Sequence, residues 1–147
     1  MSRAKLSAIL QKGETVRNEL SGAVISCRLK EWILKNSGIK FGQHFAFIDS
    51  KKVQAMIQKT SYGYSTFAGL RVGEIQLKSN KGAWFHIKSD ENISDILTRG
   101  AAPNKLGPGS VWQCGPQWLL LKPELWPATS PAVVELSPED WELQKKF

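Results

Sequence analysis

The stretch QHFAFID at 43–49 constrains this chain more than any other. Its centre is almost continuously apolar, whereas a strand with one wet face alternates with period two. A continuous apolar run predicts a strand buried on both faces, the arrangement of a sheet covered by helices. A second short run, AWFHI at 83–87, follows the turn signal SNKG and predicts another strand.

Helical patterns surround these two runs. Residues 15–35, TVRNELSGAVISCRLKEWILK, carry one apolar stripe at Val16, Leu20, Ala23, Val24 and Cys27, and a second at Ile25, Leu29, Trp32 and Ile33. The two stripes together make a face wide enough to lie on a sheet. Thr15 is placed to cap this helix and NSG at 36–38 to end it. Ser50 precedes a short helix through KKVQAMIQK, with Val53, Met56 and Ile57 inward. After SYGYS, residues 66–77 form a third helical pattern, weakened by Gly69 and Gly73. SDENISDILTR, after the second strand, spaces Ile93, Ile96 and Leu97 for a last helix. The order helix, strand, helix, helix, strand, helix predicts an α/β fold with parallel neighbouring strands.

From Gly100 the texture changes. Residues 101–147 hold all seven prolines of the chain, along with Trp112, Trp118 and Trp126. Proline at this density prevents long helices and central strands. The tryptophans carry large apolar area that needs a surface to cover, so the region reads as an extended arm packed on a domain. The final LSPEDWELQKKF predicts a short helix capped by Ser137. Residues 1–100 then form the domain and 101–147 the arm.

Bulk properties narrow the function. The chain's 147 residues suit one domain with a tail, and 41% hydrophobic with 22% charged residues is ordinary for a folded protein. No apolar run is long enough to cross a membrane, and the start MSRAKLSAIL lacks the shape of a secretory signal. Twenty Lys and Arg against thirteen Asp and Glu give a net charge of +7, which attracts polyanions. Cys27 reads as a buried thiol. A zinc site would have to gather Cys27, His44, His86 and Cys114, without the close ligand pairs such sites use.

Three carboxylates stand out by position. Glu19 lies in the first turns of a helix beside its apolar side, Asp49 ends the apolar strand, and Asp95 lies in the first turns of the last helix. Ligands of open parallel sheets gather beyond the carboxyl ends of the strands, where Asp49 falls. Carboxylates that cluster repel one another and are tolerated around a hard cation. With a basic surface, that combination suggests metal-assisted phosphodiester cleavage, in which two cations about 4 Å apart activate a water and stabilise the leaving oxygen. The plainer alternatives stay open: Glu19 paired with Arg17 or Lys12, and Asp49 and Asp95 serving as helix caps.

Read in series, TVRNELSGAVISCRL, FIDSKKVQAMIQ, STFAGLRVGEIQ, WFHIKSDENISDILTRG and LGPGSVWQCGPQWLLLKPELWP resemble the ribonuclease H-like region of the Pol polyprotein of BEL/Pao-type retrotransposons and the segment that follows it. The resemblance spans residues 2–130. It implies a ribonuclease H-like sheet with flanking helices and Mg2+-dependent cleavage of RNA in RNA–DNA hybrids. Glu19, Asp49 and Asp95 match the family's metal-binding acids, and His86 matches a frequent histidine that also fits a plain strand position. Lys51, Lys52 and Arg71 become candidates for backbone phosphates, with a solvated helix face as the alternative for each. The implied partners are nucleic acid and the reverse transcriptase and integrase portions of the same polyprotein, in the cytoplasm, the nucleus or retroelement particles.

The departure from the family is at the start. SRAKLSAI resembles the end of the family's third strand, so the first two strands, and the first catalytic aspartate with them, are expected to be missing. Asp90 or Glu91 is a conceivable substitute ligand. The expectation is an N-terminally truncated domain with little activity alone. A non-catalytic nucleic-acid-binding remnant and a structural connector are the alternatives.

Overall fold

The computed structural model describes residues 15–129. It is a mixed helical and parallel-sheet structure. Helix α1 (Thr15–Asn36) leads to strand β1 (Ala46–Ile48), then α2 (Lys51–Gln58), α3 (Thr66–Lys78), β2 (Trp84–His86) and α4 (Asp95–Arg99). Short turns and α5 (Val111–Cys114) follow. The expected SRAKLSAI strand end and the helix around Ser137 lie outside the described residues.

β1 and β2 pair in parallel, with Ala46 opposite Trp84, Phe47 opposite Phe85 and Ile48 opposite His86. Alternation then sorts the side chains. One face carries Ala46, Ile48 and Trp84 into a core with Leu20, Ala23, Val24 and Cys27 of α1, Val53, Met56 and Ile57 of α2, and Ala68, Val72 and Ile75 of α3. The other face carries Phe47 and Phe85. Burial on both faces agrees with the continuous apolar run, although the strand is shorter than 43–49.

Helices α1 and α3 run side by side in the same direction, as three successive contacts show. Arg17 meets Phe67, Arg28 grips Glu74 at 2.7 and 2.8 Å, and Lys78 pairs with Glu31. Ser50 caps α2 as its position implied, accepting from the Val53 N–H at 3.4 Å. Thr15 is itself helical rather than a cap.

Two expectations need correction. The last helix starts only at Asp95. The Asn92 side chain accepts the Ser94 N–H at 3.2 Å, and turns at Glu91 and Asn92 use the backbone carbonyls of Lys88 and Ser89. Short polar side chains compete with the helix ladder in this way, so SDENIS folds as turns. The arm is not extended. Residues 103–125 coil into short turns, with Pro103 and Pro123 opening two of them.

The arm covers the phenylalanine face of the sheet. Trp126 lies 4.9 Å from Phe45, 5.4 Å from Phe47 and 5.4 Å from Phe85, and Trp118 lies 5.3 Å from Phe47, all centroid to centroid. Thr129 then pairs antiparallel with His86, its N–H donating to the His86 carbonyl at 2.7 Å and its carbonyl accepting at 3.1 Å. This closes the outer edge of β2. Among the described residues the outer edge of β1 has no strand beside it.

Candidate functional site

The carboxyl end of β1 gathers the starts of three helices. α2 begins directly after Asp49 and Ser50. The Glu19 carboxyl feels Ser50, Asp49 and Lys52, which places the first turns of α1 beside the start of α2. Because α3 runs parallel to α1, its first turn also lies at this rim, with Phe67 against Arg17. Helix starts carry partial positive charge and unpaired N–H groups, so the rim favours anionic groups.

Glu19 and Asp49 are close enough to repel. Half-buried Glu19 has its carboxyl pushed above the usual carboxylate range, first by loss of water, then by the charge of Asp49. The Ser50 hydrogen bond and the charge of Lys52 oppose that rise. The paired reading with Arg17 does not hold, since the Arg17 guanidinium stacks on Phe67, its centre 4.4 Å from the ring centroid. Asp49 accepts from the Asn92 side-chain amide at 3.3 Å, which ties the 88–94 turns to the end of β1.

Asp95 is placed differently. It lies in the first turn of α4 and pairs with Arg99 at 3.1 Å across one helical turn. Among the described residues no group of three or more His, Cys, Asp or Glu side chains gathers as a metal site. The pair that does meet fits a hard cation in its chemistry. Two oxygen-donor groups share a partly dry place, and loss of water, with the charge of Asp49 added, holds a proton on Glu19 more tightly. Of the four residues of the zinc alternative, Cys27 is buried and Cys114 exposed.

His86 is buried in β2 opposite Ile48, one residue before Asp49 in the paired strand, and its backbone bridges Thr129. Lys51 and Lys52 project from the first turn of α2 into solvent, Asp90 and Glu91 are exposed in the turn, and Arg71 lies half-buried in α3. Two members of the site were not singled out from sequence. Asn92 and the second role of Ser50 depend on contacts between distant segments, and no local pattern announces either.

A cavity of about 930 Å3 wraps the outer edge of β1. Cys27 and Lys30 of α1 and Trp84 line one side, and Phe47, Trp118 and Asn92 the other. Comparisons with family models, with curated proteins and with solved structures find no match to this chain.

Proposed function

We propose that this chain supplies the later part of a ribonuclease H-like domain of a BEL/Pao-type retrotransposon Pol polyprotein, and that its site acts on nucleic acid with Mg2+. The observation that carries this reading is the meeting of Glu19 and Asp49 at the carboxyl end of β1, among three helix starts. A divalent cation held there would neutralise the developing charge on a phosphodiester and lower the pKa of a water. Glu19 and Asp49 would hold it, Asn92 would orient Asp49, and Lys52 would offset the charge of Glu19. Asp95 would join once its pairing with Arg99 gives way.

Among the described residues the outer edge of β1 is open, which supports the same reading, because a ribonuclease H-like sheet continues on that side. The strands and the further aspartate that complete the family's site would come from the preceding part of the polyprotein. The reverse transcriptase and integrase portions would then be its neighbours in the chain. Two adjacent carboxylates bind Mg2+ weakly, so this chain alone is expected to cleave hybrid little or not at all.

Thermal unfolding with and without Mg2+ tests the site. A cation that binds the folded form raises Tm in proportion to the logarithm of its concentration above Kd. Millimolar Mg2+ is expected to raise Tm of this chain and to leave an Asp49→Asn variant unmoved. Equal responses, or none in either, would overturn the assignment of Glu19 and Asp49. Cleavage of a labelled RNA–DNA hybrid is expected only when the polypeptide carrying the remaining strands is added.

One observation favours a second reading. Asp95 is engaged by Arg99 and, among the described residues, Glu19 and Asp49 meet without a third carboxylate, an arrangement suited to a non-catalytic nucleic-acid-binding remnant. Salt-sensitive binding of hybrid that ignores both Mg2+ and Asp49 would select it.

A further inference from the structure

Two arginines from different helices reach one aromatic ring. The guanidinium carbon of Arg17, on α1, lies 4.4 Å from the Phe67 centroid, and that of Arg71, on α3, lies 3.5 Å from it. An aromatic face attracts a cation, but it does not neutralise two. The pair therefore keeps like charges close together with only a ring between them.

Among the described residues neither Arg17 nor Arg71 is in a salt bridge, unlike Arg28, Lys78 and Arg99. Glu74 feels the charge of Arg71, yet both of its oxygens accept from Arg28, at 2.7 and 2.8 Å. Glu19, two residues from Arg17, is turned toward Ser50, Asp49 and Lys52. The Arg17 Nε is buried and has no hydrogen-bond partner, a costly condition for a charged donor.

The arrangement is also oriented. Arg71 donates from Nη1 to the Phe67 carbonyl at 3.1 Å, so its plane is fixed while its other N–H groups stay available. The stack sits on the first turn of the 13-residue α3, whose N-terminal dipole adds positive potential. It shares the rim with Lys51 and Lys52. Planar guanidinium forks match phosphate oxygens in geometry as well as charge.

We infer that Arg17 and Arg71, stacked on Phe67, form a clamp for phosphates of a nucleic-acid backbone. The inference rests on the reading of this protein as one that acts on nucleic acid, and it adds the residues that hold the strand beside the carboxylates. A line of phosphates suits the clamp better than a single small anion, because the ring keeps the two guanidinium groups apart and the lysines extend the basic track along the rim. Neither Arg17 nor Arg71 is among the groups that act on the Glu19 carboxyl, so binding and metal response separate experimentally.

The test is the salt dependence of hybrid binding in the presence of EDTA, followed by fluorescence anisotropy. Each phosphate contact contributes about 0.9 to the slope of log K against log salt on a duplex. Arg17→Gln and Arg71→Gln keep much of the packing against Phe67 and remove the charge. Each is expected to lower the slope by about 0.9, and the double variant by about twice that. An unchanged slope in folded variants overturns the clamp, as does failure of the parent chain to bind hybrid at low salt.

If a variant fails to fold, the parent chain still decides. The Nε–H resonances of Arg17 and Arg71 are followed by NMR during titration with a short oligonucleotide and, separately, with inorganic phosphate. Shifts of both with the oligonucleotide at lower concentration support the clamp. No shift, or a response to inorganic phosphate alone, overturns it. Since EDTA removes divalent cations, a clamp that fails here leaves the Mg2+ response of Asp49 standing, and the reverse also holds.

Discussion

At the residue scale, Glu19 carries the tension between folding and function. Burial and the nearby Asp49 charge raise its carboxyl pKa in the folded chain, so the native state binds a proton more tightly than the unfolded state does. Stability therefore falls as pH rises from the ordinary glutamate range through the folded value, and the full cost is present above it. Glu19→Gln removes the charge and keeps a group for Ser50. It is expected to stabilise the chain at neutral pH by on the order of half a kcal/mol after solvent screening, about 2 °C in Tm. The gain should fade as pH falls toward the ordinary glutamate range. Melting curves of the two proteins across that range check the sign, and a Glu19→Gln variant less stable at pH 7 would contradict the account. A side chain that weakens the fold where it is ionised is well suited to accept a cation.

At the element scale, the arm is bound into the domain more firmly than a linker would be. Trp126 touches three phenylalanines and Trp118, and Thr129 closes the β2 edge with two backbone hydrogen bonds. Trp126→Ala is expected to cost about 3 kcal/mol, at the low end for a tryptophan because the ring is only partly buried. Urea unfolding measures it, and a change below about half a kcal/mol, the size of an ordinary surface substitution, would mean the arm is merely draped over the sheet. That the tryptophans needed a surface was legible in the sequence; which surface was not. Helices α1 to α3 were legible because each repeats a local period, the strands because each is a short apolar run near turn signals, and Ser50 announced its cap. The late start of α4 was hidden, since Ile93 and Ile96 keep helical spacing while Asn92 bonds Ser94 and Asp49 instead. The three acids were found by their positions at element ends. The Asp95–Arg99 pair is local, one helical turn apart, but only the folded chain shows Arg17 turned to Phe67, because that choice is made between segments distant in sequence.

At the scale of the whole molecule, the two long sides of the sheet differ. Ile87 donates to the Ile48 carbonyl at 2.9 Å, so the Ile48 backbone faces β2 and the Phe47 backbone faces outward. No described strand meets it there. Helix α1 repeats the asymmetry. Leu20, Ala23, Val24 and Cys27 are buried, whereas every residue from 31 to 45 is exposed, including Ile39 at 61% and Phe41 at 43%. A helix of 22 residues is roughly 33 Å long, and its buried residues end at Cys27, where it packs against α3 and α2. An unpaired strand edge beside exposed apolar side chains is a template for association. Sedimentation velocity is expected to show this chain associating as its concentration rises toward the order of 100 µM. Ile39→Lys with Phe41→Lys places charge beside the edge without touching the core, and should return the chain to monomer. A parent chain that stays monomeric throughout would mean that the edge is already satisfied, and the expectation that further strands complete the sheet would then have to be abandoned.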